Sequence, residues 1–521
     1  VIRRMGACRK SIGDKWYDGH LQHLDISDAE FVGDGIFVYY SKTSYGPCNF
    51  TDREYLFAGM KSLQTIELPN SMKEIDGSLF YECSNLVSLT LPSELTTIGV
   101  HSLGGCPNLM SIKIDKNNPY YCSDGAILFN KDKSKIVLAK KTLDAYSIPS
   151  SVTQIQSWAF AGCNSLIYLI LPSGLTQIGD GTFSGCSSLK SLTLPSGVTQ
   201  IGAYAFQNCS SLYSLKLPSS VTQIGAYAFQ NCSSLSSLTL PSGVTQIGRS
   251  AFYGCSGLRS LTLPSGVTQI EDETFSECSS LSSLTLPSVV TQIGKRAFCG
   301  CSSLRSLTLP SSVTQIGEYA FVRCSSLSTL TLPSGVTQIG DWAFALCSSL
   351  QSIGLPSSLT QIGACAFREC NSLKSLELPS NLTQIGEGAF FKCSSLASLT
   401  LPSSLREISV GSFGECTKIE TIYSYISDPL PLNFEKSVMD NAILYVPKGS
   451  YQNYVLADYW KEFKNIKEFD PETASINNTQ SADNTKELSR YAVNGQRLAA
   501  PAKGLNIVRY SDGTVKKVME K

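Results

Sequence analysis

The sequence predicts an α/β repeat solenoid, in which short parallel strands stack coil upon coil, and three observations support this. Leu-Pro or Ile-Pro steps recur every 23 residues from Pro149 to Pro402. A Phe column from Phe160 to Phe413 keeps the same period, and a Cys column follows it three residues later. A fixed period of this length is typical of an array whose coils contact only their neighbours.

A single coil shows how the consensus specifies its fold. Leu192 and Leu194 alternate with polar residues, which predicts a short strand with one buried face. Pro195 ends this strand because it has no N–H to donate. After Gly202, the inward residues Ala205, Phe206 and Cys209 fall within about one predicted helical turn. The other inward residues of the coil are Val198, Ile201 and Leu212. One coil alone cannot offset an ordering cost of about 1.5 kcal/mol per residue, so stability must be collective.

The repeat L-x-L-P-S-x-V-T-Q-I-G-x-x-A-F-x-x-C resembles the leucine-rich repeats of the BspA-like class across residues 58–468. This resemblance implies a right-handed leucine-rich-repeat superhelix of 23-residue coils with a parallel β-sheet on its concave face. It also implies a non-enzymatic bacterial protein that is secreted or displayed on the cell surface.

Departures from the period divide the chain. The interval from Pro92 to Pro149 is 57 residues, so the repeat slips there. Within it, the apolar runs 126–129 and 135–138 flank a polar turn and predict a β-hairpin. The predicted divisions are an N-terminal cap or remnant at 1–57, the array at 58–416 with the hairpin insertion at about 107–147, a C-terminal cap at 417–468, a linker at 469–486 and a tail at 487–521.

The predicted tail is small and β-rich. Its segments 494–498 and 503–508 resemble the C-terminal sorting segments of type IX secretion cargo, which carry N-G-Q-x-[VL] and K-G-[LIV]-Y-[IV] patterns. Asn506 stands where that pattern usually has Tyr. The resemblance implies a segment that sorts or anchors the protein at the cell surface.

Composition argues against several classes of protein. The 42 basic and 42 acidic residues cancel, and charged residues make up only 16% of the chain. Nucleic-acid binders need clustered Lys and Arg to replace counterions, and no basic block occurs here. No apolar run is long enough to cross a bilayer, so no transmembrane segment is expected.

Scarce histidine argues against catalysis. The three histidines are His20, His23 and His101, so no histidine lies beyond residue 101 to act as a base for the many serines of the regular repeats. His20 and His23 do not form a His-Glu-x-x-His motif. The acidic cluster formed by residues 271–273 and Glu277 is interpreted as a solvated surface group rather than a carboxylate pair. We therefore predict no catalytic residue, no metal site and no cofactor.

The 19 cysteines are explained mainly by the repeat, because 14 of them fall in the Cys column. Free buried Cys behaves as a small hydrophobe, which favours a core role over disulfides or metal. The off-column cysteines are Cys8, Cys48, Cys122, Cys299 and Cys365, and a Cys8–Cys48 bond stays open as an alternative. The predicted structural ladder consists of Phe160, Cys163, Phe183, Cys186, Phe206, Cys209, Phe229 and Cys232.

Large aromatic residues are candidates for surface contacts. The outward positions of the Leu strands are mostly Ser and Thr, whereas aromatic and charged residues collect beside the Phe column. The candidate contact residues are Trp158, Tyr204, Tyr213, Tyr227, Tyr319 and Trp342.

The primary functional hypothesis is an adhesin-like scaffold at the bacterial outer surface or outside the cell. It would act as a monomer and bind host or matrix proteins, or other cells, by multivalent contact along the solenoid. One alternative is a polysaccharide-binding component of a surface nutrient-uptake system, in which exposed Trp and Tyr would stack on sugar rings. Another is a structural spacer that displays a different module.

Overall fold

The computed structural model describes residues 106–471 throughout, most of residues 57–99, and strand segments between 23 and 37 and between 487 and 520. The described chain forms a parallel-strand solenoid of about 17 turns with little helix. Each coil has three walls. In one representative coil, the Leu wall is the strand Ser191–Thr193, the Gln wall is the strand Gln200–Ile201, and the Phe wall is the run of turns at 203–208.

The strands of both walls pair in register with their equivalents one coil away. Ser191 pairs with Ser214 on the Leu wall, and Gln200 pairs with Gln223 on the Gln wall. The Leu-wall strands are Thr65–Glu67, Ser88–Leu91, Ser111–Ile114, Ala145–Ser147, Tyr168–Ile170, Ser191–Thr193, Ser214–Lys216, Ser260–Thr262, Ser283–Thr285, Thr329–Thr331, Ser352–Gly354, Ser375–Glu377, Ser398–Leu401 and Thr421–Ser424. The Gln-wall strands are Glu74–Ile75, Thr97–Ile98, Gln154–Ile155, Gln177–Ile178, Gln200–Ile201, Gln223–Ile224, Gln246–Ile247, Gln269–Ile270, Gln292–Ile293, Gln315–Ile316, Gln338–Ile339, Gln361–Ile362, Gln384–Ile385 and Glu407–Ile408.

The longest sheet of the array lies on the Gln wall. The strands of the Gln wall form a four-stranded sheet over residues 177–247 and a seven-stranded sheet over residues 269–408. The strands of the Leu wall are divided into sheets of two to five strands. Two grooves also lie on the Gln wall. The sequence analysis predicted strands only at the Leu positions, from their alternation of apolar and polar residues, and the resemblance implied that the parallel sheet lies on the concave face. The Gln strands were not predicted.

The Phe wall consists of turns rather than the predicted helical turn. Among the described residues, α1 (Lys436–Asn441) and α2 (Tyr451–Leu456) are α-helices, and Trp460–Glu462 is a 3-10 helix. The segment 451–463 of the C-terminal cap is therefore α-helical only over its first six residues, and a 3-10 turn lies near its end. Behind the Phe wall, the Phe rings from Phe160 to Phe413 stack with centroids 5.1–5.7 Å apart.

The insertion separates two hydrophobic cores. It contains the strands Tyr121–Ser123, Ile127–Asn130 and Lys135–Ala139, which pair antiparallel, and the last of these also pairs parallel with Gln154–Ile155. Leu128 packs into the core that begins at Phe57, whereas Ile127 and Phe129 pack into the core of the long array. Because successive side chains of a strand point to opposite faces, the insertion packs against both hydrophobic cores at the place where the 23-residue period is interrupted.

Strands outside the regular repeat extend the Leu wall at both ends. His23–Asp25 pairs parallel with the strand at 65–67, while Ile443–Pro447 and Asn465–Phe469 continue the sheet beyond Thr421–Ser424. Phe31–Val32 and Ile36–Phe37 pair antiparallel. The tail is a four-stranded antiparallel sheet whose strands are Glu487–Ala492, Arg497–Leu498, Gly504–Tyr510 and Val515–Glu520.

Candidate binding surface

Backbone hydrogen bonds between coils build the Phe wall. The N–H of Tyr204 donates to the Ala226 carbonyl at 2.9 Å, and the N–H of Asn208 donates to the Gln230 carbonyl at 2.7 Å. Intervening N–H groups bond within the coil, as when Gln207 donates to Tyr204 at 3.0 Å. The turns therefore stack like a sheet, and their outward side chains align along the solenoid axis.

Two left-handed positions in each coil from Trp158 onward make this alternation possible. Tyr204 and Asn208 both have φ of 58°. Side chains with a Cβ adopt this region at a cost, which glycine avoids. Glycines with positive φ occupy the same two columns elsewhere, at Gly162, Gly181, Gly185, Gly254, Gly300, Gly388 and Gly411. These recurring glycines were the signal for a left-handed turn, but the helical interpretation of the sequence overlooked it.

Five of the six candidate contact residues lie in the first of these columns. Tyr204 and Tyr227 stack with centroids 4.8 Å apart, and the Arg249 guanidinium lies 5.2 Å from the Tyr227 ring. Tyr319 and Trp342 stack at 6.0 Å. We call this group of side chains the aromatic ridge. Its aromatic rings, Glu273 and Arg368 are half-buried, whereas Arg249 and Arg296 are exposed. The members are Trp158, Tyr204, Tyr227, Arg249, Glu273, Arg296, Tyr319, Trp342 and Arg368.

Trp158 reaches across a coil to join the ridge. Its ring lies 5.9 Å from that of Tyr204, which is two coils further along. The intermediate position is Gly181, where an added Cβ would fall 2.3 Å from the indole ring. Gly181 therefore provides the space in which the indole lies.

Charged residues link the two aromatic stacks of the ridge. Arg296 Nη1 lies 3.9 Å from Glu273 Oε1, and the same guanidinium lies 5.1 Å from the Tyr319 ring. The Ser250 hydroxyl donates to Glu273 Oε2 at 3.1 Å. At the far end, the Arg368 guanidinium lies 5.8 Å from the Trp342 ring and 4.5 Å from the Phe391 ring. The ridge therefore presents ring edges, guanidinium groups and a carboxylate in one line.

Tyr213 lies on the Leu wall, apart from the ridge. Its side chain is exposed, and its N–H bonds to the Lys190 carbonyl of the preceding coil. The same wall exposes Ile167, Tyr168 and Ile170 just after the insertion. The sequence analysis missed this second apolar group, although its departure from the Ser and Thr consensus was a visible signal.

The Cys column lies in the core, and its thiols are not joined in disulfides. Each thiol from Cys186 to Cys416 contacts the Phe carbonyl of the preceding coil at 3.1–3.3 Å, 26 residues earlier. Burial raises the pKa of Cys209 and Cys232 well above the ordinary value for a thiol. These groups are therefore neutral donors rather than nucleophiles. The structure places Cys163, Cys186, Cys209 and Cys232 behind the ridge with the Phe residues of the predicted ladder.

The off-column cysteines and the histidines form no common site among the described residues. Cys122, Cys299 and Cys365 are free and partly buried, and His23 Nδ1 lies 2.7 Å from Thr65 Oγ1. The proposed Cys8–Cys48 pair, His20 and His101 lie outside the described residues. Within the part of the chain that the structure describes, no group of three His, Cys, Asp or Glu side chains is placed to hold a metal ion.

The acidic cluster at 271–277 is divided between two walls. Glu271 lines the Gln-wall groove and accepts a hydrogen bond from Gln269 Nε2, while Asp272 Oδ1 accepts from the Lys295 N–H at 2.7 Å. Glu273 belongs to the ridge, and Glu277 lies further along the Phe wall. These carboxylates therefore serve different surfaces and do not face one shared substrate position.

Comparison with solved structures finds similar leucine-rich repeat proteins. A leucine-rich repeat protein from Bacteroides ovatus is 24% identical, with 80% of this chain and 92% of that chain covered and a TM-score of 0.34. A leucine rich cell surface protein from Faecalibacterium prausnitzii is 29% identical, with coverage of 69% and 97% and a TM-score of 0.42. A leucine-rich repeat protein from T. pallidum is 32% identical, with coverage of 36% and 90% and a TM-score of 0.32.

Family comparison identifies the repeat. No curated protein matches the chain. None of the helices in the described ranges is both long and apolar enough to span a membrane. The model of the BspA type leucine-rich repeat region matches residues 51–138, 134–259, 222–349 and 314–428. Since these matches cover well over half of the sequence, the chain belongs to the BspA-type leucine-rich repeat family.

Proposed function

We propose that this protein is a non-enzymatic, adhesin-like scaffold at the bacterial cell surface or outside the cell, which binds host or matrix proteins or other cells. The observation that carries the proposal is the aromatic ridge. Tyr, Trp and Arg are the residues most enriched at the energetic centres of protein interfaces. Here they are aligned on one wall by a backbone that hydrogen-bonds from coil to coil.

The geometry of the ridge favours a protein ligand over stacked sugar rings. Tyr227 has Tyr204 on one face and Arg249 on the other, and Trp342 lies between Tyr319 and Arg368. A sugar ring needs an open aromatic face, and these faces are already covered. The hydroxyls, ring edges and guanidinium groups that point outward suit hydrogen bonds and ion pairs with a polypeptide.

Repetition provides the mechanism of tight binding. Neighbouring coils are separated by about 4.8 Å, so the ridge offers a series of similar contacts at short spacing. A ligand held at several of these contacts rebinds before it dissociates, and its avidity exceeds the affinity of one coil. We propose that the tail sheet at 487–520 sorts or anchors the array at the surface, with the segment 469–486 as a linker.

The full-length protein should be immobilised and tested against a panel of fibronectin, fibrinogen, laminin and collagen by biolayer interferometry. We expect binding to at least one of them, with an affinity at least tenfold lower in a Trp342→Ala/Arg368→Ala variant. A Thr262→Ala/Thr285→Ala variant changes two exposed residues of the Leu wall and should bind like the wild type. Equal affinity of the wild type and both variants for the ligand would contradict the assignment of the ridge as the binding surface.

A deletion tests multivalency separately. Removing residues 195–263 takes out three coils in phase, together with Tyr204, Tyr227 and Arg249. Binding should weaken while the melting transition stays cooperative, because the flanking coils are equivalent and can close on each other. Unchanged binding would indicate a single discrete site elsewhere. Mass analysis of the surface-released protein would show whether the tail is removed.

A further inference from the structure

Two grooves run lengthwise along the Gln wall, on a different wall from the ridge. The first encloses about 860 Å³ over the coils from Gln177 to Gln269, and the second about 700 Å³ over the coils from Gln292 to Glu407. Each is lined by the Gln-Ile-Gly triplets of successive coils. The grooves therefore have the same period as the solenoid.

A glycine column along the grooves lets the backbones of successive coils approach closely. An added Cβ at Gly225 would lie 2.5 Å from the Ala203 nitrogen, and one at Gly248 would lie 2.5 Å from the Ala226 nitrogen. Only glycine fits this close approach without a shift of the backbone. The column thus leaves bare backbone along the groove, with the Gln side chains on its border.

Glu271 stands in this glycine column and divides the grooves. The N–H of Gly248 donates to Ile224 and that of Gly294 donates to Ile270, but the strands at 246–247 and 269–270 do not pair. Glu271 lines the first groove, and its neighbour Asp272 lines the second. The two grooves therefore meet at this coil, and each spans several coils.

The Gln amides of the first groove have unused hydrogen-bonding capacity. In the described chain, the side-chain amides of Gln177, Gln200, Gln223 and Gln246 make no hydrogen bond to other protein groups, and three of the four are exposed. Each amide offers two donors and one acceptor. The register of the sheet repeats this group about every 4.8 Å. Such a row can bond to a polymer that carries one polar unit per coil.

We propose that the Gln-wall grooves bind a neutral linear polysaccharide lengthwise, with one sugar ring beside each coil. An extended polypeptide rises about 3.3 Å per residue and repeats on one face after two residues, so it drifts out of register with coils about 4.8 Å apart. In an extended β-1,4-linked glycan the rise per pyranose ring is close to that spacing. Successive rings are turned over, but each ring carries hydroxyl groups on both edges, so a polar unit lies beside every coil. Its hydroxyls both donate and accept, as the amides do.

The charge of the grooves selects a neutral ligand. Asp180 and Glu271 line the first groove, and the second is lined by Asp272, Glu318, Asp341 and Glu407. No Lys or Arg lines either groove. Glu318 is paired with Lys295 Nζ at 2.6 Å, but the other five carboxylates form no ion pair among the described residues. Uronic or sulfated chains would be repelled by these five carboxylates, whereas uncharged sugars would not.

Calorimetric titration of the full-length protein tests this inference. The probes are hexasaccharides of β-1,4-glucose, β-1,4-N-acetylglucosamine and β-1,4-mannose, with a hexagalacturonate and a ten-residue Ser/Thr/Val peptide for comparison. We expect at least one neutral hexasaccharide to bind, and its trisaccharide to bind more weakly, because fewer coils are engaged. A Gln200→Ala/Gln223→Ala/Gln246→Ala variant should bind at least tenfold more weakly, since each lost hydrogen bond contributes about 1 kcal/mol.

Two controls separate this site from the ridge. Thr262→Ala/Thr285→Ala on the Leu wall and Trp342→Ala/Arg368→Ala on the ridge should leave hexasaccharide binding unchanged. Thermal melts of each variant check that the array stays folded. The inference is overturned if no neutral hexasaccharide binds, if the triple Gln variant binds as well as the wild type, or if only the peptide or hexagalacturonate binds.

Discussion

The thiol of Cys255 donates a hydrogen bond to the carbonyl oxygen of Phe229, 3.1 Å away in the preceding coil. That carbonyl also accepts the N–H of Cys232 within its own coil, at 3.1 Å. Each Phe carbonyl therefore connects a turn to the next coil. This explains why the column uses Cys, which combines a small apolar volume with a weak donor.

Cys255→Ala should lower the free energy of unfolding by about 1–2 kcal/mol, because it removes both buried sulfur packing and the hydrogen bond to Phe229. Cys299→Ala is the matched control. Cys299 is off the column and only partly buried, so its loss should cost less than about 0.5 kcal/mol. Urea denaturation followed by circular dichroism measures the free energy of unfolding of both variants. Equal losses of stability in Cys255→Ala and Cys299→Ala would contradict a stabilising role of the Cys column.

The buried thiols predict loss of stability at alkaline pH. Burial raises the pKa of Cys255 and of Cys347 from about 9 to about 12. A raised pKa in the folded state favours the protonated form, so its contribution is complete below pH 9 and is lost as the pH rises towards 12. Between these two pH values, each such thiol should lower the free energy of unfolding by about 1.4 kcal/mol for each unit of pH increase.

Unfolding free energies measured in urea from pH 7 to pH 10.5 test this dependence. A Cys255→Ala/Cys347→Ala variant is the control, because it lacks two of the titrating thiols but keeps the other residues that titrate in this range. Above pH 9, the free energy of unfolding of this variant should fall less steeply than that of the wild type, by the contribution of the two missing thiols. Identical slopes in the two proteins would show that the column thiols do not control alkaline unfolding.

Gly248→Ala should destabilise the array by about 1–2 kcal/mol, because the new Cβ would lie 2.5 Å from the Ala226 nitrogen. The cost is modest because the backbone can shift slightly. Ser409, which occupies the same column, keeps its N–H bond to Ile385 at 2.9 Å. Gly243→Ala is the control, since its nearest heavy atom would be 3.6 Å away. Thermal melts should show a lower transition temperature for Gly248→Ala alone.

The sequence was sufficient to predict the period, the coil and the insertion, because apolar spacing and proline positions act locally. The sequence was less informative about how side chains and strands of neighbouring coils contact each other. Residues 23 apart stack, so Tyr204 and Tyr227 cover each other's faces, and their presentation depends on the stack as a whole. The break in the Gln-wall sheet at Glu271 depends on a close backbone approach between coils, which becomes visible only once the coils are placed.

The C-terminal cap should stabilise the last coil through Phe434. This ring continues the Phe stack, 6.2 Å from Phe413, and it also meets Trp460 and Phe463 edge-on. The next residue, Glu435, accepts a hydrogen bond from the N–H of Glu415 at 3.1 Å, which satisfies a donor at the open end of the Phe wall. Phe434→Ala should therefore cost about 3–5 kcal/mol locally.

Hydrogen exchange measures where that loss appears. Since each coil contacts only its neighbours, amides in residues 407–424 should exchange faster in Phe434→Ala, while those in residues 246–293 stay protected. Lys436→Ala is the matched control, because this exposed neighbour lies at the start of α1 and should leave the exchange of both segments unchanged. Uniformly faster exchange along the whole array would instead mean that the solenoid unfolds as one cooperative unit, and that the cap protects every coil equally.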